Sequence, residues 1–155
     1  AHTLDMEKEE QMLQLLVVTP TQLCKCCLRD MYKRGSGKIL NVASVGAFQP
    51  GPYTASYYAS KSYLYQYSQA IRLEAKKQGV QVCTLCPGST RTHFFEKTGA
   101  KTPIWAMSPE RVAKEAWEGL NADKAVVVPG MINRLLRLVP AQIKAYGVAL
   151  LKKHT

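Results

Sequence analysis

Three short β-rich runs, each flanked by stretches long enough for a helix, constrain this chain more than any other feature. They are Lys38 to Ser44, Val80 to Cys86 and Lys124 to Val128. The first two are nearly continuous in apolar residues rather than alternating, the pattern of a strand covered on both faces. A helix-length segment from about Thr54 to Gln78, ended by Gly79, separates them. Before the third run, Ser108-Pro109-Glu110 marks a helix start, with a capping hydroxyl, proline at the first helical position and an acid in the first turn. That helix ends near Gly119. Helix and strand in alternation predict an α/β fold with a parallel sheet. Three strands make a small sheet, so the expectation is one part of a larger architecture.

The flanks add two more helical segments. Residues 6–33 read as a helix whose apolar stripe runs through Met12, Leu15, Leu16, Leu23, Cys27 and Leu28, interrupted by Pro20. Lys33 and Arg34 followed by Gly35 and Gly37 close it. At the other end, Met131 to Lys153 is an amphipathic, basic tail with a break at Pro140. Gly46 to Pro52 is a loop carrying two prolines, and Ser89 to Met107 is a polar segment with Gly99 and Pro103 as hinges. No internal repeat is present.

Composition narrows the classes. A chain of 155 residues with 46% hydrophobic and 21% charged residues suits one packed domain and excludes wholesale disorder or a polytopic membrane protein. The first residue is Ala1 rather than Met, as expected of a processed or partial chain. No signal peptide pattern leads the chain, and the apolar run Leu15 to Val18 is too short to span a bilayer. The net charge is +10, unevenly spread: four of the 11 acids lie in the first ten residues, and from Lys124 onward there are six basic residues and no acid. Such a run is a solvated helix face or a surface for an anionic membrane or nucleic acid. Tyr146 is the tail's one aromatic, which disfavours nucleic acid. Five cysteines, an odd number, fit the reduced thiols of a cytoplasmic protein. Cys24-x-x-Cys27 and Cys83-x-x-Cys86 imitate metal knuckles, but 55 residues separate them, one pair falls in a helix and the other in a buried strand. No metal site is expected.

The chemistry concentrates between Ile39 and Ile71, 33 residues whose single charge is Lys61. A lone ammonium in an apolar setting is costly unless a cleft or a partner relieves it. Tyr57 precedes it by four residues, so phenol and ammonium share one helix face. A neighbouring cation lowers a phenol's pKa from about 10, which suits Tyr57 to proton transfer. Tyr-x-x-x-Lys alone is a weak motif. Its context strengthens it: Ser44 ends the preceding strand 13 residues before Tyr57, and the next strand runs into Pro87-Gly88-Ser89-Thr90-Arg91-Thr92. In open α/β sheets, ligands bind at such strand ends. Tyr53, Tyr63, Tyr65 and Tyr67 read as packing or subunit-contact residues.

Taken together, Asn41-Val-Ala-Ser44, Tyr57-Tyr-Ala-Ser-Lys61 and Pro87-Gly-Ser-Thr-Arg-Thr92 resemble the short-chain dehydrogenase/reductase family over nearly the whole chain. The resemblance implies the C-terminal part of a Rossmann-like doubly wound parallel sheet, and an oxidoreductase that reduces a carbonyl or oxidises a secondary alcohol with NAD or NADP. Tyr57 would be the acid/base, Lys61 would hold the nicotinamide ribose and tune Tyr57, and Ser44 would bind the substrate oxygen. Pro87, Gly88, Thr90 and Thr92 would hold the carboxamide. Residues 94–107 would form a substrate lid. The 54–78 helix would pair with its twin in a homodimer or tetramer.

Two departures accompany the resemblance. The family's Gly-rich turn, whose helix N-terminus receives the pyrophosphate, has no counterpart here, nor does the Asn-Asn-Ala-Gly after its fourth strand. About a hundred residues of the family fold are therefore unmatched. In addition, the position where the family usually carries a catalytic Asn falls on Leu16, with Gln14 as the nearest polar substitute. The expectation is thus a single partial domain, 1–155, inactive on its own, whose parent is an enzyme. The alternative is a catalytically silent binding or scaffold subunit.

Overall fold

The computed structural model describes residues 5–93 and 102–152. The expected seven-segment alternation is present, as helix, β1 (Gly37–Val42), α3 (Ala55–Lys76), β2 (Val80–Leu85), α4 (Pro109–Asn121), β3 (Val126–Val127) and the helical tail. All strands are parallel in the order β1-β2-β3, with Gly37 to Val42 opposite Val80 to Leu85, and Thr84 and Leu85 opposite Val126 and Val127. β3 is two residues long, shorter than the run Lys124 to Val128 suggested.

β2 shows why the apolar run was continuous. Val80 and Val82 pack with Cys24, Leu28, Ile71 and Ala75 on one face, while Cys83 and Leu85 pack with Val112, Ala116 and Leu120 on the other. Successive strand residues point to opposite faces, so both sets must be apolar when helices cover both. Gly119 lets α4 approach closely, because a Cβ there would run into Val127. Buried polar groups tie the layers together: Asn41 Nδ2 donates to Ser68 Oγ (2.8 Å), and Ser68 Oγ donates to the Leu64 carbonyl (2.6 Å).

The first helix departs from its sequence reading. It runs unbroken as α1 (Met6–Leu13), a π-helical turn at Gln14–Val18 and α2 (Thr19–Arg34). The Thr19 N–H bonds Gln14 O five residues back, and Thr19 Oγ1 donates to the same carbonyl (2.8 Å). This wide turn precedes Pro20, which sits in the first turn of α2 instead of breaking the helix. The inserted residue also rotates the stripe. Cys24 and Leu28 are buried, whereas Leu15, Leu23 and Cys27 are exposed. Gly35 ends α2 in the left-handed conformation (φ 66°).

The tail breaks at Pro140 as expected, into α5 (Met131–Leu136) and α6 (Ala141–Lys152). Its described cations bond back to the fold while Arg134 and Arg137 stay exposed, so the solvated basic face stands, with contacts the sequence did not announce. Arg134 donates to Glu115 (2.9 Å) and to the Val128 carbonyl (2.9 Å), Arg137 lies over the Phe48 ring, and Lys144 donates to the Phe48 carbonyl (3.2 Å). Phe94 to Lys101 of the expected lid, with its Gly99 hinge, lie outside the described residues. Of the remainder, Met107 bridges to Thr90. Among the described residues no helix is long and apolar enough to cross a membrane.

Candidate active site

The site is built at the C-terminal ends of β1 and β2. Past β1 the chain stays extended at Ser44 (φ −171°), whose hydroxyl caps a short 3-10 turn, Val45–Phe48, by accepting the Gly46 N–H (3.0 Å). Two backbone bonds lash this turn to β2: Ala43 N–H donates to Leu85 O (2.8 Å) and Val45 N–H to Pro87 O (3.0 Å). Prolyl geometry at Pro87 ends β2 there, so the Ser44 turn and the Pro87-Gly88 segment lie side by side.

Tyr57 and Lys61 approach from α3. Ser44 hydrogen-bonds the Tyr57 phenol, and the Lys61 ammonium lies 5.9 Å from the centre of the Tyr57 ring while donating to the Val42 carbonyl (3.0 Å). That carbonyl is the last of β1, so the strand end fixes the ammonium. Behind them the Tyr58 ring fills the space beside Gly51, where a Cβ would overlap it. The β1 end, the capped turn and one face of α3 therefore bring Ser44, Tyr57 and Lys61 together, with Pro87 bonded to the same turn through the Val45 N–H.

The electrostatics differ in sign from the sequence expectation. Burial pushes the Tyr57 phenol above its ordinary value, with the Ser44 hydrogen bond pulling the other way. Lys61 is not among the causes of the shift; its ammonium is bonded to Val42 O, 5.9 Å from the ring centre. Burial lowers the Lys61 pKa. Cys86, beneath the crevice, is pushed up to about 12 by burial, against a hydrogen bond from the Ser44 backbone. The pair is thus an acid and a cation, both partly desolvated.

The remaining expected residues lie along the strand extension. Thr90 Oγ1 turns back to the Gly88 carbonyl (3.0 Å), and Gly88 is packed under Asn133 of α5, where a Cβ would clash. Thr92 is exposed beyond them. Leu16 is half-buried in the π-helical turn, and Gln14 beside it is exposed. Of the tyrosines read as packing or subunit-contact residues, Tyr65 meets Phe48 edge-on and Tyr63 stacks on Tyr67, while Tyr53 is 53% exposed. Cys24 and Cys83 are buried and Cys26 and Cys27 exposed; no group of three metal-ligating side chains stands together among the described residues. Sequence reasoning missed the tail's hold on this turn through Arg137, Lys144 and Phe48, a contact across about ninety residues that no local pattern announces.

A family model described as short chain dehydrogenase matches residues 1–103. The 7beta-hydroxysteroid dehydrogenase of Clostridium sardiniense is 29% identical over 133 residues, covering 84% of this chain and 51% of that protein. The mouse (Mus musculus) 17-beta-hydroxysteroid dehydrogenase 13 is 33% identical over 116 residues, covering 72% and 38%. The chain thus spans about half or less of the length of these curated relatives. A short-chain dehydrogenase from Sphingobium yanoikuyae, solved in complex with NADPH, superposes with a TM-score of 0.80 at 24% identity, over 97% of this chain and 57% of its own. That likeness establishes the fold, a partial Rossmann-like α/β domain. On the match of its first 103 residues, this chain belongs to the short-chain dehydrogenase family.

Proposed function

We propose that the crevice at Ser44, Tyr57 and Lys61 is the reactive centre of an NAD(P)-dependent oxidoreductase that interconverts a carbonyl and a secondary alcohol. The observation that carries this reading is the convergence of three polar side chains, Ser44 from the turn after β1 and Tyr57 and Lys61 from α3, on one strand end, with a hydrogen bond joining two of them. The donor set fits the nicotinamide end of such a cofactor: Lys61 offers an ammonium for ribose hydroxyls, and Pro87, Gly88, Thr90 and Thr92 flank the place of the carboxamide. When bound, the cofactor supplies or accepts the hydride. The protein's part is the proton. Tyr57, its pKa held up by burial, is protonated at neutral pH and donates to the carbonyl oxygen in the reductive direction. Ser44 orients that oxygen and shares the hydrogen bond that moderates Tyr57.

The pyrophosphate has no Gly-rich cradle in this sequence. The chain alone therefore binds the dinucleotide weakly and does not turn over, and the activity belongs to a protein that also carries that half. Self-association runs through α3, which offers exposed Tyr63 and Leu73. A second reading, a silent binding subunit, draws on Leu16 at the position of the family's Asn.

The deciding experiment measures NADPH oxidation with a carbonyl substrate in the chain joined to a Gly-rich strand–turn–helix half. Tyr57→Phe is expected to abolish turnover while cofactor binding persists. Activity retained in Tyr57→Phe overturns the assignment of Tyr57. Cofactor binding without turnover in the unmutated protein favours the silent subunit.

A further inference from the structure

The tail is amphipathic in the reverse of the usual sense. A surface helix normally turns apolar residues to the core and polar ones to water. In α5 the residues that bond back to the fold are polar: Asn133 donates to the Pro129 carbonyl (2.7 Å), and Arg134, its side chain 60% exposed, to Val128 O and Glu115. The outward ones are Met131, Ile132, Leu135 and Leu136, which fall within one side of the helix and are 75%, 69%, 61% and 51% exposed. In α6, Lys144 reaches inward to Phe48 O, while Ile143, Tyr146 and Leu150 form an exposed stripe at three- and four-residue spacing. The face extends sideways. Met107, whose sulfur meets Asn133 (3.9 Å), follows Ile104 and Trp105, both almost entirely in solvent. So many large apolar side chains left exposed in one stretch of chain mark a docking site rather than a free surface.

We propose that the α5–α6 face docks in the plane of an anionic lipid surface. Charge selects this occupant. From Lys124 to the end the chain carries six bases and no acid. Arg137 lies on the Phe48 ring and Lys144 on a carbonyl, so both bring positive charge to the rim of the apolar face. Exposed apolar side chains beside cations, with Trp105 and Tyr146 among them, match the interface between acyl chains and acidic headgroups. α5 is tied by Arg134 to Val128, just past β3, and to Glu115 of α4, while Lys144 of α6 reaches Phe48 in the turn that follows β1.

The docked tail would also bear on the candidate active site. The same Arg137 and Lys144 that flank the apolar face grip Phe48, at the end of the turn that Ser44 caps.

Flotation of the full chain with vesicles of phosphatidylcholine and phosphatidylglycerol in a 7:3 ratio, at about 0.15 M salt, tests this. The protein is expected to float with these vesicles and at least threefold less with pure phosphatidylcholine. Ile132→Glu combined with Leu135→Glu should lower partitioning at least tenfold with the circular dichroism unchanged, since both side chains are exposed. In Trp117→Phe, which leaves Trp105 as the sole tryptophan, emission should shift to the blue on the anionic vesicles. Failure to float on them, or a double variant that floats as well as the parent, overturns the proposal. So does a dimer in light scattering that the same substitutions dissolve without any vesicle binding, since the face would then belong to a second copy.

Discussion

Arg72 makes the most demanding structural prediction. Its guanidinium donates to the Val82 carbonyl (2.8 Å), to Asp123 Oδ1 (2.8 Å) and to the Asp123 carbonyl (2.7 Å), and its side chain is only 13% exposed. Val82 lies two residues before β2 begins pairing with β3, so the arginine occupies ladder positions that the short strand leaves open. It also holds Asp123 in the left-handed conformation (φ 51°) that turns α4 into β3. Replacing Arg72 with Met keeps the aliphatic stem and deletes the fork. An unsatisfied buried carbonyl costs about 1–3 kcal/mol. The Asp123 carboxylate, 37% exposed, rehydrates, so its lost pairing adds only about 0.5–1 kcal/mol. The expected loss is therefore about 1.5–4 kcal/mol in urea unfolding followed by circular dichroism. At this chain length that corresponds to a fall in Tm of about 3–16 °C. Arg72→Lys should recover less than half, because an ammonium cannot reproduce the planar fork. A loss below about 1 kcal/mol for Arg72→Met would refute the claim that the arginine completes the sheet edge.

Three further outcomes follow from the same geometry. With a thiol reagent at pH 8, Cys26 and Cys27 should react quickly, while Cys24, Cys83 and Cys86 wait on unfolding, being buried with raised pKa values. The difference in tyrosinate absorbance between the parent and Tyr57→Phe should place the Tyr57 midpoint above 10, and Ser44→Ala should move it higher by removing the one hydrogen bond that lowers it. Because the folded form holds this proton more tightly, Tyr57 subtracts stability only as pH rises from about 10 through the folded value. A midpoint at or below 10 would contradict the burial argument. Gly51→Ala should cost about 1–3 kcal/mol of unfolding free energy, since its Cβ would overlap the Tyr58 ring; a neutral result would show that the ring moves aside.

The sequence was most legible where chemistry is local. The three strand runs, the Ser108-Pro109 cap, Gly79 and the Pro140 break each rest on a residue's own backbone preference, and the structure has them where they were read, though β3 is shorter. Ser44, Tyr57 and Lys61 could be grouped beforehand because a strand end and two residues four apart on a helix have a fixed relation. Properties that depend on the surroundings were not legible. The π-helical turn reset the stripe of the first helix, and no side-chain pattern encodes one inserted residue. The direction of the Tyr57 shift turned on how deeply the phenol is buried. The tail read as a basic surface, because composition does not say which way a cation points. Arg134 and Lys144 hydrogen-bond back to the fold, Arg134 staying exposed, and large apolar residues are exposed beside them.

The central claim, that Ser44, Tyr57 and Lys61 form the receptor for the nicotinamide end of a dinucleotide, can be tested without the missing phosphate cradle. Nicotinamide mononucleotide titrated into the isotope-labelled chain should shift the resonances of Ser44, Tyr57, Lys61 and the Gly88–Thr90 backbone at millimolar concentration. Lys61→Ala should remove the response, and adenosine should not produce it. Shifts scattered over the surface, or none in the crevice at saturating nucleotide, would contradict the account.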